Sequence, residues 1–314
     1  MPKVRVNRDV ELFYEEFGEG EPLLLIMGIG AQMIIWEEDF CRQLAAQGFR
    51  VIRFDNRDVG LSSRLDAAPV PNMNRMLLSR LRGKPERPPY TLDDMATDTF
   101  QLMDALGIRE AHVVGLSLGG MIAQCMGLLH PERVKSLCII MSAPGEILAA
   151  IPTPTALRTL MTRPQSVTQE GIVEHFIKTW SIFGADPHRT SPERLRVLGG
   201  LSFQRGINPR GFARQFAAIM AAPSRIRPLR TLRIPTVVLH GASDPLLPPH
   251  AGRIVAGQIP GARLFVIRGM GHDLGPSVWP FAIRQIVDNA RRTLPRNAKR
   301  LGTVRALLRR PVEV

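Results

Sequence analysis

Short apolar runs recur along this chain, separated by stretches in which apolar residues return every three or four positions. The short runs read as strands and the longer stretches as helices. Val10–Phe17 alternates apolar with polar residues and is expected to form an edge strand. Pro22 precedes Leu23-Leu24-Leu25-Ile26-Met27, a continuous apolar run of the kind found in strands covered on both faces. Trp36–Ala46 has helical spacing and stops at Gly48. Arg50–Phe54 is the next strand, and 64–90, rich in Pro and Arg, reads as a surface excursion. Thr91 is placed to cap a helix carrying Leu92, Met95, Thr99, Leu102 and Leu106 on one face, closed by Gly107. Ala111–Val114 follows as a strand, Leu118–His130 as a helix and Val134–Met141 as another strand.

The rhythm then breaks. Residues 145–231 hold no strand-like run but carry helix starts: Ser166 before Val167–Trp180, Ser191-Pro192 before Glu193–Leu201, and Asn208-Pro209 before Arg210–Ala222. Strands resume at Pro235–His240 and Arg263–Ile267, and a last helix covers about Trp279–Leu294. This order predicts an α/β fold with a mostly parallel central sheet flanked by helices. Residues 1–144 and 232–295 would form the core. Residues 145–231 would form a helical cap, inserted before the last two strands and lying over their carboxyl ends, where open α/β sheets bind ligands. Residues 296–314 are expected to be a basic tail.

At 314 residues, the chain suits one large domain with an insertion better than two independent ones. No apolar run approaches the length of a membrane span. Met-Pro-Lys-Val-Arg at the start lacks the apolar core of a secretory signal. The odd number of scattered cysteines, Cys41, Cys125 and Cys138, suits buried thiols in a reducing compartment. A cytoplasmic location is therefore expected. The net charge of +13 would suggest a nucleic-acid partner, but residues 284–314 hold nine basic against two acidic residues, more than half of the excess. With no nucleic-acid motif beside it, this charge reads as a solvated amphipathic helix and tail. Weak contact of that tail with an anionic membrane is a second reading.

Gly115-Leu116-Ser117-Leu118-Gly119 lies between a strand and a helix. G-x-S-x-G in that context forces the serine into a tight turn, with its hydroxyl clear of the backbone. Alone the pentad is a common pattern, so its weight depends on partners. In the strand–turn–helix version of serine chemistry, the chain order is Ser, acid, His. Asp244 follows one buried strand, in His240-Gly-Ala-Ser-Asp244-Pro, and His272 follows the last, in Gly269-Met-Gly-His272. Ser117 would attack an acyl carbon, His272 would carry its proton, and Asp244 would orient the imidazole. Glu146, after the preceding strand, and Asp273, beside the histidine, compete for the acid's role. The oxyanion hole would use the N–H of Leu118 and, from Met27-Gly28-Ile29-Gly30, the N–H of Ile29. Substrate contacts are expected from Gly28, Met141 and Met270, with Ile29, Leu118 and Leu274 nearby. The thioethers suggest an adaptable apolar pocket with few aromatics.

Over residues 8–295 the chain resembles the α/β-hydrolase superfamily, and within it esterases of the aclacinomycin methylesterase type. The resemblance is carried by Met27–Gly30, Trp36 with Asp39-Phe40, Arg53–Ser62, Gly115–Gly120, Asp244 and Gly271-His272. Many relatives outside this type have His where Met27 stands. The Asp55–Ser62 segment looks structural, with Asp55 and Arg57 tying loops near the site. The resemblance implies a serine carboxylesterase that cleaves small to medium lipophilic esters through an acyl-enzyme. A serine in the elbow disfavours the dehalogenases and epoxide hydrolases of the fold, which use aspartate. C–C bond hydrolysis, acyl transfer and perhydrolysis use the same triad and stay open. With no phosphate loop or metal-spaced His/Cys cluster, neither cofactor nor metal is expected. The expected partner is a small-molecule ester, with the protein a monomer or homodimer.

Overall fold

The computed structural model describes residues 2–146, 149–292 and 312–313. Among them, β1 (Lys3–Arg5), β2 (Glu11–Phe17), β3 (Glu21–Ile26), β4 (Phe49–Phe54), β5 (Ala111–Leu116), β6 (Val134–Ile140), β7 (Thr236–Gly241), β8 (Arg263–Ile267) and β9 (Val312–Glu313) form one sheet. Its spatial order is β1-β2-β4-β3-β5-β6-β7-β8-β9. The β1–β2 and β2–β4 pairs are antiparallel; every later pair is parallel. The helices are α1 (Glu38–Ala45), α2 (Met73–Leu81), α3 (Leu92–Ala105), α4 (Leu118–Leu129), α5 (Pro154–Met161), α6 (Gln169–Phe183), α7 (Pro192–Gln204), α8 (Pro209–Ala221), α9 (Pro249–Gln258) and α10 (Trp279–Ala290).

Alternation along each strand divides the core. Leu24 and Ile26 of β3 join Ile52, Val113, Ile139 and Val238 against α3, α4 and α9. Leu23 and Leu25 join Val51, Val114, Ile140 and Leu239 against α1 and α10. Successive side chains point to opposite faces, so a strand covered on both sides must be apolar throughout. Thr91 and Asp94 cap α3 reciprocally, with each side chain accepting the other's backbone N–H.

Several boundaries differ from the sequence expectations. β2 is not an edge strand, because β1 pairs with its outer side. The 64–90 excursion contains α2, capped by Asn72. α5, with Thr153 as its cap and Pro at its first position, was missed. The cap of α6 is Thr168 and not Ser166; the Ser166 hydroxyl instead lies 2.8 Å from that of Thr168. In the basic tail, 296–311 and 314 lie outside the described residues, and Val312–Glu313 pairs in parallel with β8. Among the described residues, no helix is long and apolar enough to cross a membrane. The three cysteines are buried thiols, and burial pushes Cys41 and Cys125 up to about 12.

Candidate active site

Ser117 stands between the end of β5 and the start of α4 with φ +56°, a backbone conformation that side chains rarely adopt. The turn is possible because its flanks are glycine. A Cβ on Gly115 would overlap the Gly119 carbonyl, and a Cβ on Gly119 would overlap the carbonyl of Ile26 at the end of β3. The turn is held from below: Ser117 N–H donates to the Ile140 carbonyl at 2.9 Å, and Ser142 Oγ donates to the Ser117 carbonyl at 2.7 Å. Leu118 is fully buried and opens α4, so its N–H belongs to the helix's unpaired first turn. On the neighbouring loop, a Cβ at Gly28 would lie 3.3 Å from that of Ser117. The Met27–Gly30 loop therefore comes up directly against the elbow.

Asp244 and His272 follow β7 and β8, the second and third strands beyond β5 along the same carboxyl edge. His272 Nδ1 and Asp244 Oδ2 are 2.7 Å apart, and both residues are 5% exposed. The other carboxylate oxygen, Oδ1, accepts the N–H groups of Leu246 and Leu247 at 2.9 and 2.8 Å. Burial pushes the Asp244 carboxyl up. The charge of His272 and hydrogen bonds from His240 and His272 outweigh that push and hold it well below the usual carboxylate range. In the neutral imidazole, an ionised acceptor at Nδ1 favours the tautomer with the proton on Nδ1 and the lone pair on Nε2. His240, fully buried, directs Nε2 to the Leu247 carbonyl at 2.7 Å, bracing the turn that carries the acid.

The two competing acids are placed differently. Asp273 accepts the Thr190 N–H at 2.7 Å and its hydroxyl at 3.0 Å, and burial pushes it above the usual carboxylate range. Glu146 is half-buried, beyond β6. It is Asp244 that meets the histidine.

A narrow cleft lies between Leu116, which precedes the serine, and Asp273-Leu274, which follow the histidine. Its walls include Trp36, Phe40, Trp180 and Trp279, so all three tryptophans of the chain meet there. Met141 and Met270 are 0% exposed and packed beside Ile140 and Ile267, and neither lines this cleft. Met141 directly follows the buried strand β6, and Met270 lies three residues past the end of β8. The aromatic lining was missed because its members lie far apart in the chain, and an isolated Trp carries no periodic signal.

The helices between β6 and β7 reach this edge at several points. His272 N–H donates to the Phe183 carbonyl at the end of α6, whose ring meets the imidazole edge-on at 6.2 Å. Arg194 of α7 donates to both carboxylate oxygens of Glu37, at 2.8 and 2.7 Å, and lies over the Trp279 ring. Arg205, following α7, reaches Asp55 at 2.5 Å. Arg214 of α8 meets Asp58 through two hydrogen bonds of 2.8 and 2.6 Å, with both side chains fully buried. Among the described residues, no group of three His, Cys, Asp or Glu is arranged to hold a metal ion.

Residues 21–275 match the family model described as the alpha/beta hydrolase fold. The chain belongs to the α/β-hydrolase fold family. Among curated members of that family, it is 30% identical over 303 residues to rhodomycin D methylesterase DauP of Streptomyces sp. (strain C5), covering 87% of this chain and 93% of the relative. It is 29% identical to rhodomycin D methylesterase DnrP of Streptomyces peucetius, covering 85% and 91%. Among solved α/β-hydrolase structures, the meta-cleavage product hydrolase of Pseudomonas fluorescens IP01 aligns with a TM-score of 0.68 and 22% identity, covering 89% of this chain and 94% of that one. The fold and a hydrolytic activity follow from this membership.

Proposed function

We propose that this protein is a serine carboxylesterase that cleaves carboxylic esters of small to medium lipophilic substrates through an acyl-enzyme. The observation that carries the reading is the buried His272–Asp244 pair on the strand-end edge that also holds the strained Ser117 turn. Ser117 Oγ attacks the ester carbon while its proton passes to His272 Nε2. The new C–O bond puts negative charge on the former carbonyl oxygen, received by the N–H groups of Leu118 and Ile29. Collapse of this intermediate breaks the bond to the alcohol, which leaves with the proton from His272. Water, deprotonated by the same histidine, then releases the acid and restores Ser117. Asp244 keeps the imidazole in its productive tautomer and stabilises the imidazolium. No step calls for a cofactor or metal.

The helices of 145–231 act as a cap in this reading, and the cleft of Trp36, Phe40, Trp180 and Trp279 receives the lipophilic part of the ester. The names of the two Streptomyces relatives make methyl esters the first substrates to try. The test is a fluorophosphonate probe followed by an ester panel. We expect the probe to label Ser117 and the ester hydrolysis to fall at least about 10³-fold in Ser117→Ala. An unlabelled serine, or a Ser117→Ala variant keeping more than a few per cent of activity, would sink the mechanism. Turnover of vinylogous diketones or of acyl acceptors, with esters left intact, would replace ester hydrolysis by C–C hydrolysis or acyl transfer.

A further inference from the structure

Gln215 lies in the middle of α8 and is fully buried. Its amide joins two loops of the core. Oε1 accepts the Gly30 N–H at 2.8 Å, and Nε2 donates to the Arg57 carbonyl at 2.9 Å. A backbone N–H can only donate and a carbonyl can only accept, so the partners fix which end of the amide is which. The loop tucks closely under α8: Gly30 has φ +63°, and a Cβ there would lie 2.6 Å from the Phe212 ring. At the loop's other end, Asn56 Nδ2 donates to the Met27 carbonyl at 3.0 Å. Two side-chain amides therefore pin the segment, one on the Met27 carbonyl and one on the Gly30 N–H. Ile29 lies between them, with its N–H on the neighbouring peptide, and Gly28 abuts Ser117. The helix that carries Gln215 cannot slide without breaking the buried Arg214–Asp58 pair beside it.

We propose that Gln215 is a positioning residue for the oxyanion-stabilising loop. By holding the Gly30 N–H, it fixes the peptide that follows Ile29 and so aims the Ile29 N–H at the oxygen on which charge develops. A side chain from the helical segment, and not only the core, thus completes the site. The inference rests on the serine-esterase reading. Its energetic basis is that oxyanion donors act through placement, and an error of about 1 Å costs on the order of 10²-fold in rate.

Two substitutions test it. Gln215→Met keeps the length and loses both hydrogen bonds; Gln215→Glu keeps an acceptor for Gly30. For Gln215→Met we expect kcat to fall about 10- to 100-fold with KM within about 2-fold. The affinity for a trifluoromethyl ketone analogue should fall by a factor similar to that in kcat. Gln215→Glu should recover part of kcat. A folded Gln215→Met enzyme with kcat within about 2-fold of the wild type would overturn the proposal. So would equal losses in the Met and Glu variants, or a loss confined to KM. If Gln215→Met does not fold, amide hydrogen exchange at Gly30 of the wild type decides: protection supports the clamp, and exchange at the rate of an open loop overturns it. Fluorophosphonate labelling of the wild type keeps the two levels apart. An unlabelled Ser117 removes the esterase reading itself, whereas a labelled one with an indifferent Gln215 removes the clamp alone.

Discussion

The elbow at Ser117 and the seat of α8 both shape the loop after β3, by different means. At the elbow, backbone meets backbone: Gly119 is pressed on the Ile26 carbonyl, and the turn works because atoms are missing. At the seat of α8, long side chains cross from one part of the chain to another, and the contacts are ionic or amide pairs cut off from water. Arg214 and Asp58 are 156 positions apart in sequence and both fully buried. The glycines that permit the elbow lie within five residues of one another. A buried ion pair carries a desolvation cost that only good geometry offsets, and removing one partner exposes that cost at once. The reacting atom is therefore set by local sterics, and the covering helices are seated by long-range polar chemistry.

The strongest way to break this comparison is at the acid. Asp244→Asn should lower kcat/KM by about 10³- to 10⁴-fold, since the amide favours the wrong imidazole tautomer while the fold persists. Steady-state ester hydrolysis reads it, with circular dichroism as the control. The same variant carries a pH signature. Asp244 lies lower in the folded chain than in the unfolded one, so its stabilising contribution is present above about pH 4 and is lost as pH falls below that. Asp273 lies higher, so its carboxyl opposes folding as it ionises and favours folding when protonated. Urea midpoints measured from pH 7 down to pH 2 should drop on the acid side for the wild type, and more shallowly for Asp244→Asn.

Next in size is the seat of α8. Arg214→Met leaves the Asp58 carboxylate buried without its cation and should destabilise the protein by about 3–5 kcal/mol. Adding Asp58→Asn, which tolerates the positive φ of 69° at that position, should restore part of the loss. A double-mutant cycle from urea denaturation measures the coupling. If Arg214→Met cost less than about 1 kcal/mol, the ionic seat would not be what holds the helix.

The smallest effect is expected at the rim. Arg194 and Glu37 keep 34% and 17% of their side-chain surface, so solvent weakens their pair. Arg194→Ala should cost under about 1 kcal/mol in stability. Because Arg194 also covers Trp279 at the cleft, the change should alter KM for bulky esters more than kcat. An ester chain-length series checks this, and a change in kcat alone would place Arg194 nearer the chemistry.

Much of the strand pattern was legible because burial on both faces leaves no room for polar residues, as in Leu23–Met27. The serine turn was legible because its sterics demand glycine. Asp244 stood among three candidate acids until the fold brought its carboxylate to His272 and gave Asp273 to Thr190. β1 escaped notice because a three-residue edge strand has too few positions for a period to emerge. The start of α6 was misplaced because Ser166 and Thr168 are equally suitable caps, and only the Gly171 N–H, held by Thr168, distinguishes them. Met270 stands two residues before His272 and Met141 just past β6, and both side chains are buried in the core.

By itself, the sequence determined the α/β layering, the elbow, and the identity of a serine, a histidine and a short set of acids at strand ends. These depend on local sterics and on periodic burial, which neighbouring residues express. The tertiary structure alone decided which carboxylate meets the histidine, that three tryptophans share one cleft, and that Gln215 reaches Gly30. Those contacts join residues far apart in the chain; Gly30 and Gln215 are separated by 185 positions. Nothing in the residues flanking either partner encodes the meeting, because it exists only once the helices are seated on the sheet.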